Sequence, residues 1–88
     1  MNKTQKNIIT YVNTTINGFA NTLELARKNG WEYIDLARML DSETDSVHGA
    51  LMFANIYEEK ISEQLMNELT EKMLDAKSQT IKEFLGIA

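Results

Sequence analysis

The side chains of this sequence that could do acid–base or metal chemistry are its 13 carboxylates and its single histidine, His48. There is no cysteine, which excludes a disulfide, a thiolate zinc site and a cysteine nucleophile. A catalytic triad or a histidine-rich metal cluster would need a second histidine or a cysteine to act with His48. We therefore expect His48 to be a structural residue.

The carboxylates Asp41, Glu43 and Asp45 imitate the start of a calcium-binding loop. In that motif a glycine occupies the sixth position and a glutamate the twelfth, whereas this chain has Ser46 and Met52 there. Catalysis by carboxylates would need two of them together in a cleft, but the helical periodicity places the acidic residues on exposed faces. The sequence therefore predicts a protein that is not an enzyme and that holds no metal ion and no cofactor.

The uneven distribution of charge indicates a binding surface instead. The net charge is −4, and the acidic excess lies in residues 41–77. On a continuous helix, four carboxylates separated by multiples of four residues would form one column: Glu59, Glu63, Glu71 and Asp75. Because like charges at this spacing oppose helix formation, a basic partner would relieve them. We predict an acidic ridge that binds a basic protein surface or mimics nucleic acid; the alternative is a solvated face that only keeps the protein soluble.

Residues 22–41 resemble a helix-turn-helix in the spacing of a small residue, a turn glycine and a buried aliphatic residue: Ala26, Gly30 and Leu36. The would-be recognition helix carries Glu32 and Asp35, however, which would face the phosphates of DNA. An ordinary helical hairpin is the simpler interpretation. A DNA-binding regulator is therefore the alternative function, and nucleic acid is not the partner that we expect.

The first predicted helix begins near residue 8. Its apolar residues recur every three or four positions as far as Ala26, and Asn29-Gly30 provides the stop. Many of the residues between these points are poor helix formers, and Asn17-Gly18 is also a turn signal. An N-terminal hairpin over residues 8–25 therefore remains the alternative.

The rest of the chain is predicted to be helical as well, with two interruptions. A short helix runs from Trp31 to Leu40, and the polar residues 41–46 predict a loop that ends in a cap at Asp45 or Ser46. The apolar stripe then continues to about residue 77 without proline or another breaker. A capping-box match at Thr80 and Glu83 predicts a short last helix.

The third helix is too long for a compact domain of this size. Unbroken from residue 46 to 77, it would measure about 48 Å, against a diameter of about 31 Å for a compact domain of 88 residues. Either the helix breaks near Ser62 and folds back, or a second copy buries the overhanging residues, which are Leu65, Leu69 and Met73. Three apolar residues off the main stripe are predicted contacts for another protein: Phe53, Ile56 and Met66.

These patterns predict an all-α bundle of three or four helices, with a long C-terminal helical segment, that forms a single domain over residues 1–88. We expect a homodimer or a subunit of a complex, acting as a protein-binding regulatory protein. The longest apolar run, residues 50–54, is far shorter than the roughly 20 residues that span a bilayer, so we expect a cytoplasmic protein with no membrane partner. The abundance of Asn, Thr, Ile and Lys suggests a phage or bacterial accessory factor.

Overall fold

The computed structural model describes residues 2–87 and shows three α-helices. Helix α1 spans Lys3–Lys28, α2 spans Tyr33–Ile56 and α3 spans Glu63–Leu85. Each helix packs against the other two, in a bundle that measures 42 × 20 × 17 Å. The predicted all-α class is confirmed, with three helices as the number.

Helix α1 forms although much of its sequence has low helix propensity. Its N-cap is Asn2, whose side-chain oxygen accepts a hydrogen bond from the Gln5 backbone N–H at 2.7 Å, while the Gln5 side chain accepts one from the Asn2 N–H at 3.1 Å. The helix ends at Asn29, before Gly30 with φ of +65°, as the sequence predicted. The hairpin alternative for residues 8–25 is wrong, because burial of the apolar stripe outweighs the weak propensities.

Helix α2 is much longer than predicted, because residues 41–46 are helical rather than a loop. Thr44 is buried, and its hydroxyl donates within the helix to the carbonyl oxygens of Leu40 and Asp41, both at 3.0 Å. Thr44 and Val47 thereby continue the buried face that Leu36 and Leu40 begin. No helix starts at Asp45 or Ser46, and the prediction of a cap there is wrong.

Of the two alternatives for the long helix, the break near Ser62 is the one that occurs. Residues 57–62 connect α2 to α3, with Glu59 in a left-handed conformation at φ of +52°. Ser62 caps α3, since its hydroxyl accepts a hydrogen bond from the Leu65 N–H at 3.0 Å. A second break at Thr80 does not occur: the Thr80 hydroxyl donates to the Ala76 carbonyl oxygen at 2.8 Å, and α3 continues to Leu85.

The core consists of two clusters that are stacked along the bundle. One cluster lies where α1 begins, α2 ends and α3 begins: Ile8, Val12, Val47, Leu51, Ala54, Ile61, Leu69 and Met73. The other lies towards the α1–α2 turn: Phe19, Leu23, Ala26, Leu36 and Leu40. Residues near the start of α1 thus meet the end of α2, so these helices are antiparallel along their whole length.

Two of the three residues assigned to a dimer interface are instead buried within one chain. Leu69 and Met73 belong to the first core cluster, at 7% and 1% exposure, and Leu65 is half-buried against it. The reason is the break before α3, which folds this stripe back onto α1 and α2. The overhang that required these residues to dock on a second copy does not exist.

Candidate protein-binding surfaces

The four carboxylates of the predicted ridge are all exposed but do not form one column. Glu59 lies in the connection before α3, whereas Glu63, Glu71 and Asp75 lie on α3 itself. The ridge is therefore split, because Ser62 starts a new helix and changes the direction of the chain. The part that survives is the acidic outer surface of α3.

Neighbouring lysines do not neutralise this surface within residues 2–87. Lys77 forms the one ion pair seen there, with its Nζ 2.5 Å from a carboxylate oxygen of Asp41 on α2. Lys72 points towards α1 and donates to the side-chain oxygen of Asn13 at 2.7 Å. Both lysines thus contact neighbouring helices, and the exposed carboxylates of α3 remain available to solvent or to a partner.

Exposed apolar side chains project where α2 ends. Phe53, Ile56 and Tyr57 are 53%, 54% and 75% exposed, and the rings of Phe53 and Tyr57 lie 5.3 Å apart at an angle of 36°. Met66, the third predicted contact residue, is half-buried and packs against the core. Its contribution to a partner contact would be smaller than those of Phe53 and Ile56.

Three carboxylates and one exposed lysine, Lys60, follow this apolar group in the chain. Glu58, Glu59 and Glu63 are all exposed and follow it along the connection to α3. We call the set of six residues the α2–α3 corner: Phe53, Ile56, Tyr57, Glu58, Glu59 and Glu63. It combines large apolar side chains with an acidic rim.

Hydrogen bonds hold the backbone of the α2–α3 corner in place. The Lys60 N–H donates to the Ala54 carbonyl oxygen at 2.9 Å. Side-chain amides of Asn55 and Asn2 donate to the carbonyl oxygens of Ile61 and Lys60, at 3.2 and 3.1 Å. Because the connection is fastened to both α2 and α1, the corner presents a preformed surface.

The side chains that the sequence offered for calcium binding or acid–base chemistry do not meet at one site. Asp41 pairs with Lys77, and Glu43 accepts a hydrogen bond from the Thr22 hydroxyl at 3.0 Å on the other side of α2. The Nδ1 atom of His48 lies 3.5 Å from the Thr70 hydroxyl oxygen. Among the described residues, no three His, Asp or Glu side chains lie close enough to hold a metal ion.

The segment that resembles a helix-turn-helix adopts a different geometry. In that motif two short helices cross at about 90–120°. Here α1 and α2 run side by side in opposite directions, and the Trp31 N–H closes the turn by donating to the Ala26 carbonyl oxygen at 2.9 Å. The segment is therefore part of a hairpin of two long antiparallel helices.

Sequence reasoning missed a second exposed surface, which lies along α1 and α2. Tyr11, Gly18 and Leu25 are spaced by seven residues on α1, and so are Met39, Ser46 and Phe53 on α2, so each set lies on one side of its helix. The centre of the surface is an open depression of about 280 Å³ with five lining residues: Tyr11, Thr15, Gly18, Glu43 and Ser46. We call this surface the α1–α2 face. The sevenfold spacing was visible in the sequence, but the pairing of the two rows required residues 41–46 to be helical.

None of the described helices has both the length and the apolarity needed to cross a bilayer. The function must be inferred from the surfaces of the chain itself, because comparisons with protein-family models, curated proteins and solved structures find no match.

Proposed function

We propose that this protein is a non-enzymatic, protein-binding regulatory factor that captures a basic amphipathic segment of another protein at the α2–α3 corner. The observation that carries the proposal is that exposed apolar side chains and exposed carboxylates follow one another in the chain, with Phe53, Ile56 and Tyr57 where α2 ends and Glu58, Glu59 and Glu63 up to the start of α3. The compositional bias of the chain fits an accessory factor of phage or bacterial origin.

The apolar part of the α2–α3 corner would supply most of the binding energy. Burial of apolar surface is worth roughly 25 cal/mol per Å², and aromatic residues dominate the energetics of protein interfaces. The rings of Phe53 and Tyr57, which contact each other at a tilt, offer a large area that needs little further ordering. A partner that inserts leucine or isoleucine side chains between these rings and Ile56 would bury all three.

The acidic rim would select the charge of the partner. Carboxylates around an apolar patch favour lysine or arginine at the edge of the bound segment and speed its association. Glu71 and Asp75 extend the negative field along α3, so a basic segment would be attracted before it reaches the corner. This attraction should weaken with added salt, because surface charges are screened over about 8 Å at physiological ionic strength.

A designed pair of peptides tests the proposal directly. Both peptides are amphipathic helices with the same leucine face, and the polar face is lysine in one and glutamate in the other. The protein should bind the lysine peptide at least about tenfold more tightly, as measured by fluorescence anisotropy, which corresponds to about 1.4 kcal/mol. Equal affinity for the two peptides, or no binding of either, would contradict the proposal.

Matched variants locate the binding site. Ile56→Ser should weaken binding of the lysine peptide about tenfold, because a central apolar contact is lost. Leu74→Ser is the control, since Leu74 is similarly exposed at 49% but lies on α3 away from the corner. Equal loss in the two variants would place the peptide elsewhere on the protein.

A further inference from the structure

The α1–α2 face lacks charge over most of its length. Residues 7–23 contain no charged side chain, and residues 46–57 contain none apart from the titratable His48. Because α1 and α2 are antiparallel, these two stretches lie beside each other in the bundle. Glu43 is the one carboxylate in the central depression, where the Thr22 hydroxyl already donates to it.

The α1–α2 face has large side chains at both ends and small ones in the middle. Tyr11 and Phe53 lie at one end, Leu25 and Met39 at the other, and all four are more than 40% exposed. Between these ends, the small residues Gly18 and Ser46 line the central depression. Gly49 lies three residues after Ser46 on α2, so the two are neighbours on the surface of that helix.

Neither backbone conformation nor contacts within the chain explain why Gly18 and Gly49 of this face are glycines. Both lie inside helices and lack the positive φ that would require glycine, and glycine at such positions destabilises a helix relative to alanine. A Cβ atom at Gly18 or Gly49 would meet no other described atom within 4 Å. Their lack of a side chain permits close approach only from outside the molecule.

We propose that a second copy of this chain covers the α1–α2 face, in a two-fold dimer whose α1–α2 pairs cross at Gly18 and Ser46. Crossed helices are closest at the crossing point, where small residues fit, and diverge on either side, where large residues fill the gap. A two-fold axis that lies in the interface, roughly perpendicular to the helices, exchanges the two ends of the face. The Tyr11 and Phe53 end of each copy then packs against the Leu25 and Met39 end of the other.

Charge favours a second copy over a different partner. Each chain carries a net charge of −4, so copies that met through α3 would bring exposed carboxylates together. Through the α1–α2 face, Glu43 is the one carboxylate of the central depression that would approach its copy, and the Thr22 hydroxyl already donates to it. The repulsion there is therefore smaller than through α3, and the face offers little ionic complement to a charged partner.

The dimer goes beyond the proposed function and does not rest on it. Ile56, Glu59 and Glu63 of the α2–α3 corner are not needed for the contact, and Phe53 lies where the two surfaces adjoin. We therefore exclude Phe53 from the test. Substitutions at Gly18 report on the dimer alone, and Ile56→Ser reports on peptide binding alone.

The test is the molar mass of the protein by light scattering over a wide range of concentrations. The wild-type chain of 10.1 kDa should approach twice that mass as concentration rises. Gly18→Gln should raise the dimer dissociation constant at least about tenfold, because the added side chain separates the helices at their crossing point. A wild-type protein that stays monomeric at every concentration would overturn the proposal, as would a Gly18→Gln dimer of unchanged affinity.

Ala20→Gln is the matched control. Ala20 is exposed on the same helix, but a step of two residues places it about 200° around the helix from Gly18. This variant should dimerise as the wild type does. At concentrations where the wild type and Gly18→Gln are both monomeric, Gly18→Gln should unfold at a higher denaturant concentration than the wild type, since glutamine favours a helix more than glycine does. Misfolding could then not account for the loss of the dimer.

Discussion

The α1–α2 face and the outer surface of α3 belong to the same small bundle but have opposite compositions. The first presents Tyr11 and Leu25 around a glycine and carries almost no charge. The second carries Glu63, Glu71 and Asp75, none of them ion-paired within residues 2–87. This difference is what allows the two proposed contacts to be separate, because an uncharged face suits contact between like molecules and an acidic surface suits a basic one.

The largest expected effect concerns the core beneath both surfaces. It tests whether a single chain forms this core without a second copy. Met73→Ala should lower the free energy of unfolding by about 2–5 kcal/mol, because it removes a side chain that is 1% exposed. Leu74→Ala, one residue along and half-exposed, should change it by less than about 1 kcal/mol. Urea denaturation of dilute protein measures both values. Similar values for the two variants would mean that Met73 is not in the core of the isolated chain.

Charge reversal should affect one surface and spare the other. With Glu59→Lys and Glu63→Lys combined, binding of the basic amphipathic peptide should weaken about tenfold or more, because attraction at the rim becomes repulsion. The molar mass of the protein should not change, since neither residue lies on the α1–α2 face. Isothermal titration calorimetry measures the first effect and light scattering the second. A variant that loses the dimer but keeps the peptide would reverse the assignment of the two surfaces.

Much of the fold could be predicted from the sequence wherever a single physical signal dominated. The stop at Asn29-Gly30 follows from the left-handed backbone that glycine permits. The length argument left two outcomes for the long helix, a break near Ser62 or a second copy that covers the overhang, and the break is the one that occurs. Both features depend on local chemistry or on the size of the chain.

The failed predictions came from residues with two possible roles. Serine, threonine and aspartate at 41–46 suggested a loop because their side chains compete with the backbone for hydrogen bonds, but Thr44 satisfies its hydroxyl inside α2 and is buried. The capping-box match at Thr80 failed in the same way. For the candidate surfaces, exposure of Phe53 and Ile56 could be predicted from their position off the stripe, whereas the α1–α2 face depended on a helix that had been interpreted as a loop.

A smaller effect distinguishes the glycines of the α1–α2 face from ordinary surface positions. Gly49→Ala should stabilise the monomer by about 0.5–1 kcal/mol, because alanine favours the helix and its Cβ meets open space. At concentrations where the wild type is dimeric, the same methyl group should weaken association. Denaturation and light scattering together measure the two opposing changes. Stabilisation with no change in association would place Gly49 outside the contact.

The smallest effect concerns the ion pair that ties α3 to α2. Asp41→Asn should reduce the free energy of unfolding by less than about 1 kcal/mol, because the Asp41 side chain is 54% exposed and solvent screens its attraction to Lys77. The released lysine would also make α3 slightly less acidic towards a partner, so binding of the basic peptide should weaken a little and become less sensitive to salt. Peptide titrations at two salt concentrations measure this change. Asp41→Asn could instead destabilise the bundle as much as Met73→Ala does. In that case the ion pair, rather than burial of apolar side chains, would hold α3 in the bundle. The contrast between an acidic outer surface and an apolar inner one would then not describe that helix.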